Sequence, residues 1–90
     1  MMLFALICRD RKGAIETRKA NRDKHLEYIE KTGVVTLAGP FLDGGEMCGS
    51  LVVIDVADRA AAEAWAASDP YHLADLFENV DILEWKRVVG

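Results

Sequence analysis

Met2-Leu3-Phe4-Ala5-Leu6-Ile7 is apolar at every position. A short run that does not alternate between apolar and polar residues is the pattern of a strand covered on both faces. Leu51-Val52-Val53-Ile54 has the same character with more β-branching, after Gly49-Ser50. Both runs are therefore read as central strands, and the rest of the chain must supply their neighbours and their cover. Downstream of the first run, Gly13 breaks a charged turn and Ala14 to Lys31 carries a helical pattern that ends at Thr32-Gly33, with glycine just past the helix end. Val34-Val35-Thr36-Leu37-Ala38 is a second strand, which Gly39-Pro40 is expected to end or bulge because proline cannot donate to a ladder. Asp43-Gly44-Gly45 signals a turn, so Leu42 to Cys48 reads as a loop. Asp58 is a good N-cap for a helix from Arg59 to Ser68. Tyr71 to Phe77 reads as a short turn of helix, and Val80 to Val89 as a closing strand with Leu83 and Trp85 on one face.

The order is βαββαβ in a single domain spanning residues 1–90. Right-handed crossovers, with the two apolar runs central, select a ferredoxin-like α+β fold: a four-stranded antiparallel sheet with both helices on one face. Two helices cover only one side of that sheet. The other side, apolar in both central strands, is expected to meet a second copy, giving a homodimer packed through the sheet face.

Composition narrows the function classes. The chain is 51% hydrophobic and 29% charged with net charge −4, values of a folded globular protein rather than a disordered one. No lysine or arginine stripe suits a phosphate backbone, so nucleic acid is not an expected partner. No segment approaches the roughly 18 apolar residues needed to span a bilayer, and the apolar first residues lack a signal peptide's basic lead-in. No membrane association and a cytoplasmic location are expected. Cys8 and Cys48 are isolated. Cys8 is read as a small core residue, and structural zinc is not supported.

The chemistry-bearing residues fall in two places. At about 100° per residue, Arg18, Arg22 and His25 (i, i+4, i+7) stack along one line of the first helix, within the stripe that holds Ile15, Leu26 and Ile29. That line faces inward or along the edge of the core, an uncommon place for charges without partners. In Ala66-Ala67-Ser68-Asp69-Pro70-Tyr71 the proline stops an alanine-rich helix and holds Asp69 at a corner. Asp followed by Pro is also the preferred N-cap and first position of a helix. A cap would use one carboxylate oxygen and leave the other for His25.

Arg18-x-x-x-Arg22-x-x-His25-Leu26, Leu37-Ala38-Gly39-Pro40, Gly49-Ser50 before an apolar strand, Ala64-Trp65 and Asp69-Pro70-Tyr71 together resemble the YciI-like (YCII-related domain) family, over nearly the whole chain. The resemblance implies a dimeric α+β barrel whose pocket holds a His/Asp pair. It also implies elimination or related proton-transfer chemistry on small cyclic compounds. The matching positions are His25 and Asp69 as catalytic residues, with Arg18, Arg22, Ser50 and Tyr71 as substrate-binding neighbours.

The expected mechanism has His25 as a general base steadied by Asp69, with the two arginines holding an anionic substrate or an enolate. Ser50 would supply one hydrogen bond. The function that follows is lyase- or isomerase-type acid-base chemistry on a small anionic or cyclic metabolite. The alternatives are a non-catalytic metabolite-binding module using the same pocket, and an accessory dimerisation domain. His72 would complete a two-histidine, one-carboxylate metal site with His25 and Asp69, but nothing in the spacing compels it. No metal or cofactor is expected.

Overall fold

A computed structural model describes residues 1–90. The elements are β1 (Met2–Asp10), α1 (Ile15–Thr32), β2 (Val35–Asp43), β3 (Glu46–Val56), α2 (Arg59–Ser68), α3 (Pro70–Leu73) and β4 (Phe77–Trp85). The strands form one sheet in the order β2-β3-β1-β4, with every neighbouring pair antiparallel. The two apolar runs are indeed central, and the fold is α+β as their patterning requires.

Alternation along the central strands sorts their side chains onto two faces. Phe4, Leu6 and Cys8 of β1 and Val52, Ile54 and Val56 of β3 join Ala62 and Trp65 of α2, Tyr71 of α3, and Leu76 and Phe77 in one buried cluster. The opposite face has no helix. There Leu83, Ala5, Val53 and Leu37 lie side by side across all four strands. The inner pair is buried, whereas Leu83 and Leu37 are 55% and 44% exposed. No helix is long and apolar enough to cross a membrane.

The helix ends follow their sequence signals. Gly33 adopts the left-handed conformation past α1, and the Asp58 side chain accepts from the Ala61 amide at the start of α2. The two long helices are tied by Tyr28 Oη donating to the Trp65 carbonyl (2.8 Å) and Trp65 Nε1 donating to Thr32 Oγ1 (2.9 Å).

Several boundaries differ from the sequence expectation. Gly39-Pro40 does not end β2: the ladder runs on to Asp43, with Pro40 opposite Ser50, and the register shifts lie at Val35/Leu37 and Phe41/Leu42. The reason is that β2 is an edge strand, where a missing amide costs nothing on the open side. The expected loop from Leu42 to Cys48 is accordingly a hairpin. Gly44 and Gly45, both with positive φ, make its turn, and β3 begins at Glu46, so Ser50 lies inside the strand rather than at its start. The short helix is Pro70–Leu73, and the last strand spans Phe77–Trp85 rather than Val80–Val89. Leu26, assigned to the inward face of α1, is 42% exposed.

Candidate functional site

Four elements converge on the helix-covered face. Arg18, Arg22, His25, Leu26 and Ile29 of α1 form one wall of a cleft of about 200 Å³. Ala38, Gly39 and Pro40 of β2 and Met47, Ser50 and Val52 of β3 form the floor, and Tyr71 of α3 closes the inner end. The continuation of β2 through Pro40 therefore matters: it brings an apolar, amide-poor edge under the cleft.

At the inner end, Nδ1 of His25 lies 2.8 Å from Oδ1 of Asp69, and both side chains are buried. The same Oδ1 accepts the Tyr71 amide at 3.0 Å, so one oxygen performs both tasks that the sequence reading divided between two. With a carboxylate as its partner, Nδ1 carries the proton and the neutral imidazole exposes Nε2 as its lone pair. No protein atom hydrogen-bonds Nε2, and the only fully buried side-chain polar atom without a partner is Asp55 Oδ1 on the far face of the sheet. Nε2 therefore opens to the cleft.

Pro70 starts α3 directly after the Asp69 cap. That short helix sets the Tyr71 ring flat against the imidazole, with centroids 3.9 Å apart and planes at 14°. Burial pushes the Tyr71 phenol above its ordinary 10.0, against the pull of Arg18 and Arg22, so it is a neutral donor at physiological pH. The corner Asp69-Pro70-Tyr71 thus grips His25 by its edge and by its face.

Arg18 is buried and already paired. Its Nε and Nη2 meet Oδ2 and Oδ1 of Asp10 at 2.7 and 2.9 Å, and Nη2 also donates to Ser50 Oγ at 2.9 Å. Burial opposes the guanidinium charge, but hydrogen bonding to Asp10 and its negative charge outweigh that and raise its pKa. The Tyr71 ring lies beneath it, 4.8 Å from the guanidinium carbon to the ring centre. Since a guanidinium only donates, Ser50 Oγ is the acceptor in that contact, and its own proton has no protein acceptor. Ser50 is left as a donor toward the cleft.

Arg22 takes the edge rather than the inward position of the expected line. It is exposed rather than inward-facing, stands at the cleft rim, and forms no ion pair. Four of the candidates, His25, Arg18, Ser50 and Tyr71, line the cleft with Arg22, whereas Asp69 lies behind His25. His72 is exposed on α3 and stands outside this cluster. Asp10 was not singled out in the sequence. Its only signal was its place at the end of an inward-facing β1 series, Phe4, Leu6, Cys8, Asp10, two residues apart.

Three charged side chains are buried in the site: Asp10 pairs with Arg18, and Asp69 faces the His25 imidazole.

A family model of the YCII-related domain matches residues 2–86. Protein YciI of Escherichia coli O6:H1 is 30% identical over an alignment covering 97% of this chain and 99% of that protein. Among solved structures, 5-chloro-2-hydroxyhydroquinone dehydrochlorinase (TftG) from Burkholderia phenoliruptrix AC1100, in complex with 2,5-dihydroxybenzoquinone, matches with a TM-score of 0.90 and 28% identity, covering 96% of this chain and 95% of that one. An antibiotic biosynthesis monooxygenase matches with a TM-score of 0.62 and 13% identity, covering 99% and 100%. The last likeness is one of fold alone.

Proposed function

The chain belongs to the YCII-related domain family, and on that premise we propose that it is a small lyase- or isomerase-type enzyme in which His25 moves a proton on a cyclic, hydroxylated metabolite. The observation that carries this reading is the buried contact of His25 Nδ1 with Asp69 Oδ1, which leaves Nε2 open to a ring-sized cleft. A cavity of 150 Å³ accommodates benzene, so about 200 Å³ suits one substituted six-membered ring. The dehydrochlorinase with the same fold, bound to a six-membered quinone, supports the same substrate size and an elimination.

His25 Nε2 takes the proton from a ring carbon beside a carbonyl. The electrons of that C–H bond form an enolate, whose oxygen receives a hydrogen bond from Ser50 beside the Arg18 guanidinium. Collapse of the enolate forms a C=C bond and expels a leaving group from the adjacent carbon with its bonding pair. The proton remains on Nε2, and the imidazolium so formed meets the Asp69 carboxylate through Nδ1. When there is no leaving group, reprotonation elsewhere on the ring gives an isomerisation instead.

The test is halide release from chlorinated hydroxyhydroquinones. Wild type turns over, whereas His25→Ala and Asp69→Asn lose roughly 10²- to 10⁴-fold in kcat, the usual contribution of a positioned base. Turnover by His25→Ala at the wild-type rate, or saturable binding with no product from wild type, would sink the catalytic reading. The second outcome would leave a binding module.

The functional unit in this reading is a homodimer joined through the uncovered sheet face. The row Leu83, Ala5, Val53, Leu37 supports it, since a protomer alone leaves large apolar side chains of both edge strands in water. Light scattering should give the mass of two chains for wild type and of one for Leu83→Lys. A single-chain wild type at micromolar concentration contradicts the dimer.

A further inference from the structure

The cleft contains two guanidinium groups that differ in their availability. Arg18 is held at two points by Asp10, donates to Ser50 and lies over the Tyr71 ring. Its charge is internally cancelled. Arg22, one helical turn on, has Arg18 and Lys19 behind it and His25 and Leu26 ahead at the positions that could carry an i±3 or i±4 partner. None of these is acidic, and Arg22 forms no ion pair. It is the only rim cation whose charge nothing in the protein answers. Around it the cleft lining is apolar, with Leu26, Pro40 and Met47 beside it.

We infer that Arg22 selects the ligand by charge: the cleft takes a hydroxylated ring bearing one anionic substituent, such as a carboxylate, which pairs with Arg22 at the rim while the ring's hydroxyl or carbonyl edge faces His25 and Ser50. One negative charge is the stoichiometry the site sets. The Asp69 carboxylate already stands behind His25, and a second anionic group at the inner end would stand against it. A neutral ring would leave Arg22 unanswered beneath a partly closed, apolar mouth. The proximity of Arg22 to the ring wall also appears in its downward pull on the Tyr71 phenol. The inference rests on the cleft being the ligand site of the function proposed above, but not on turnover there.

The experiment is calorimetric titration of wild type, Arg22→Gln, Arg22→Lys and His25→Ala with 2,5-dihydroxybenzoate, 2,5-dihydroxybenzamide and hydroquinone. Acid and amide share shape and hydroxyls and differ in charge. Wild type should bind the acid about fivefold tighter than the amide, the upper end of what an exposed ion pair contributes. That preference should weaken with added salt. Arg22→Gln should erase the preference by weakening the acid alone, Arg22→Lys should keep part of it, and His25→Ala should leave it intact.

Equal binding of acid and amide by wild type overturns the inference. So does a loss in Arg22→Gln that is the same for both, or a lack of saturable binding of all three compounds by wild type. If the charge preference follows Arg22 but no chlorinated ring is turned over, the catalytic reading falls and this one stands.

Discussion

At Asp69 one oxygen atom combines structure and chemistry. Oδ1 accepts the Tyr71 amide and meets His25 Nδ1, so substitutions there separate two effects by charge and shape. Asp69→Asn retains an oxygen that accepts from both, so the α3 cap survives, whereas the negative charge that would stabilise an imidazolium is gone. The expected outcome is near-normal thermal stability with the large kcat loss given above. Asp69→Ala should lose activity together with about 1 kcal/mol or more of stability, the usual cost of a missing cap, measurable by urea denaturation. A stability loss in Asp69→Asn as large as that in Asp69→Ala would mean that the carboxylate charge, not the cap, holds the corner. The sequence made His25 and Asp69 legible because a proline forces a corner and a helical wheel places the histidine in the apolar stripe. That one atom serves both partners was not legible, since it depends on how α1 approaches α3.

At the scale of elements, the tie between β1 and α1 is the buried pair of Asp10 and Arg18, both side chains at most 5% exposed. Breaking such a pair leaves an uncompensated buried charge, which costs more than the pair contributed over an apolar replacement. Asp10→Asn should therefore destabilise the fold by about 3–5 kcal/mol. The double substitution Asp10→Leu, Arg18→Met should recover much of that loss while abolishing ligand binding. A double-mutant cycle by chemical denaturation checks both statements, and additive single effects would refute the coupling. The sequence signalled Arg18 but not Asp10, because a helical wheel describes one element and says nothing about which strand end lies beneath it. The same limit explains β2. Proline argued for a strand end or a bulge at Gly39-Pro40; the strand continues, with a register shift at Phe41/Leu42, because the edge position of β2 is a property of the sheet rather than of the segment.

For the molecule as a whole, burial of ionisable groups sets an alkaline limit. The Cys8 thiol is pushed from its ordinary 9.0 up to about 12, mainly by burial, then by the charge of Asp69, with Arg18 pulling it down and Asp10 pushing it up again. An unfolded chain loses this proton from about pH 9, while the folded chain keeps it. The contribution to stability is thus complete below pH 9 and is lost progressively as the pH rises from 9 toward 12. Tyr28 and Tyr71, both raised above 10.0 chiefly by burial, act in the same direction above that pH. Denaturation between pH 8 and 11 should show wild-type stability falling with pH, and a shallower fall in Cys8→Ala. Identical slopes would place the alkaline limit elsewhere.

What the sequence determined by itself was local and periodic: two unbroken apolar runs that must be central, two helices with readable ends, and a line of basic residues on the inner edge of one of them. These follow from the α-helical and β-strand repeats and from proline and glycine stereochemistry, all of which act within a few residues. Tertiary structure alone decided which charges are answered and which are not. Asp10 meets Arg18 eight residues away, and Asp69 meets His25 across 44 residues. Arg22, identical in type to Arg18 and one turn along the same helix, meets nothing. Whether a charge is cancelled depends on which element packs opposite it, and that is settled only when the sheet and helices close on one another.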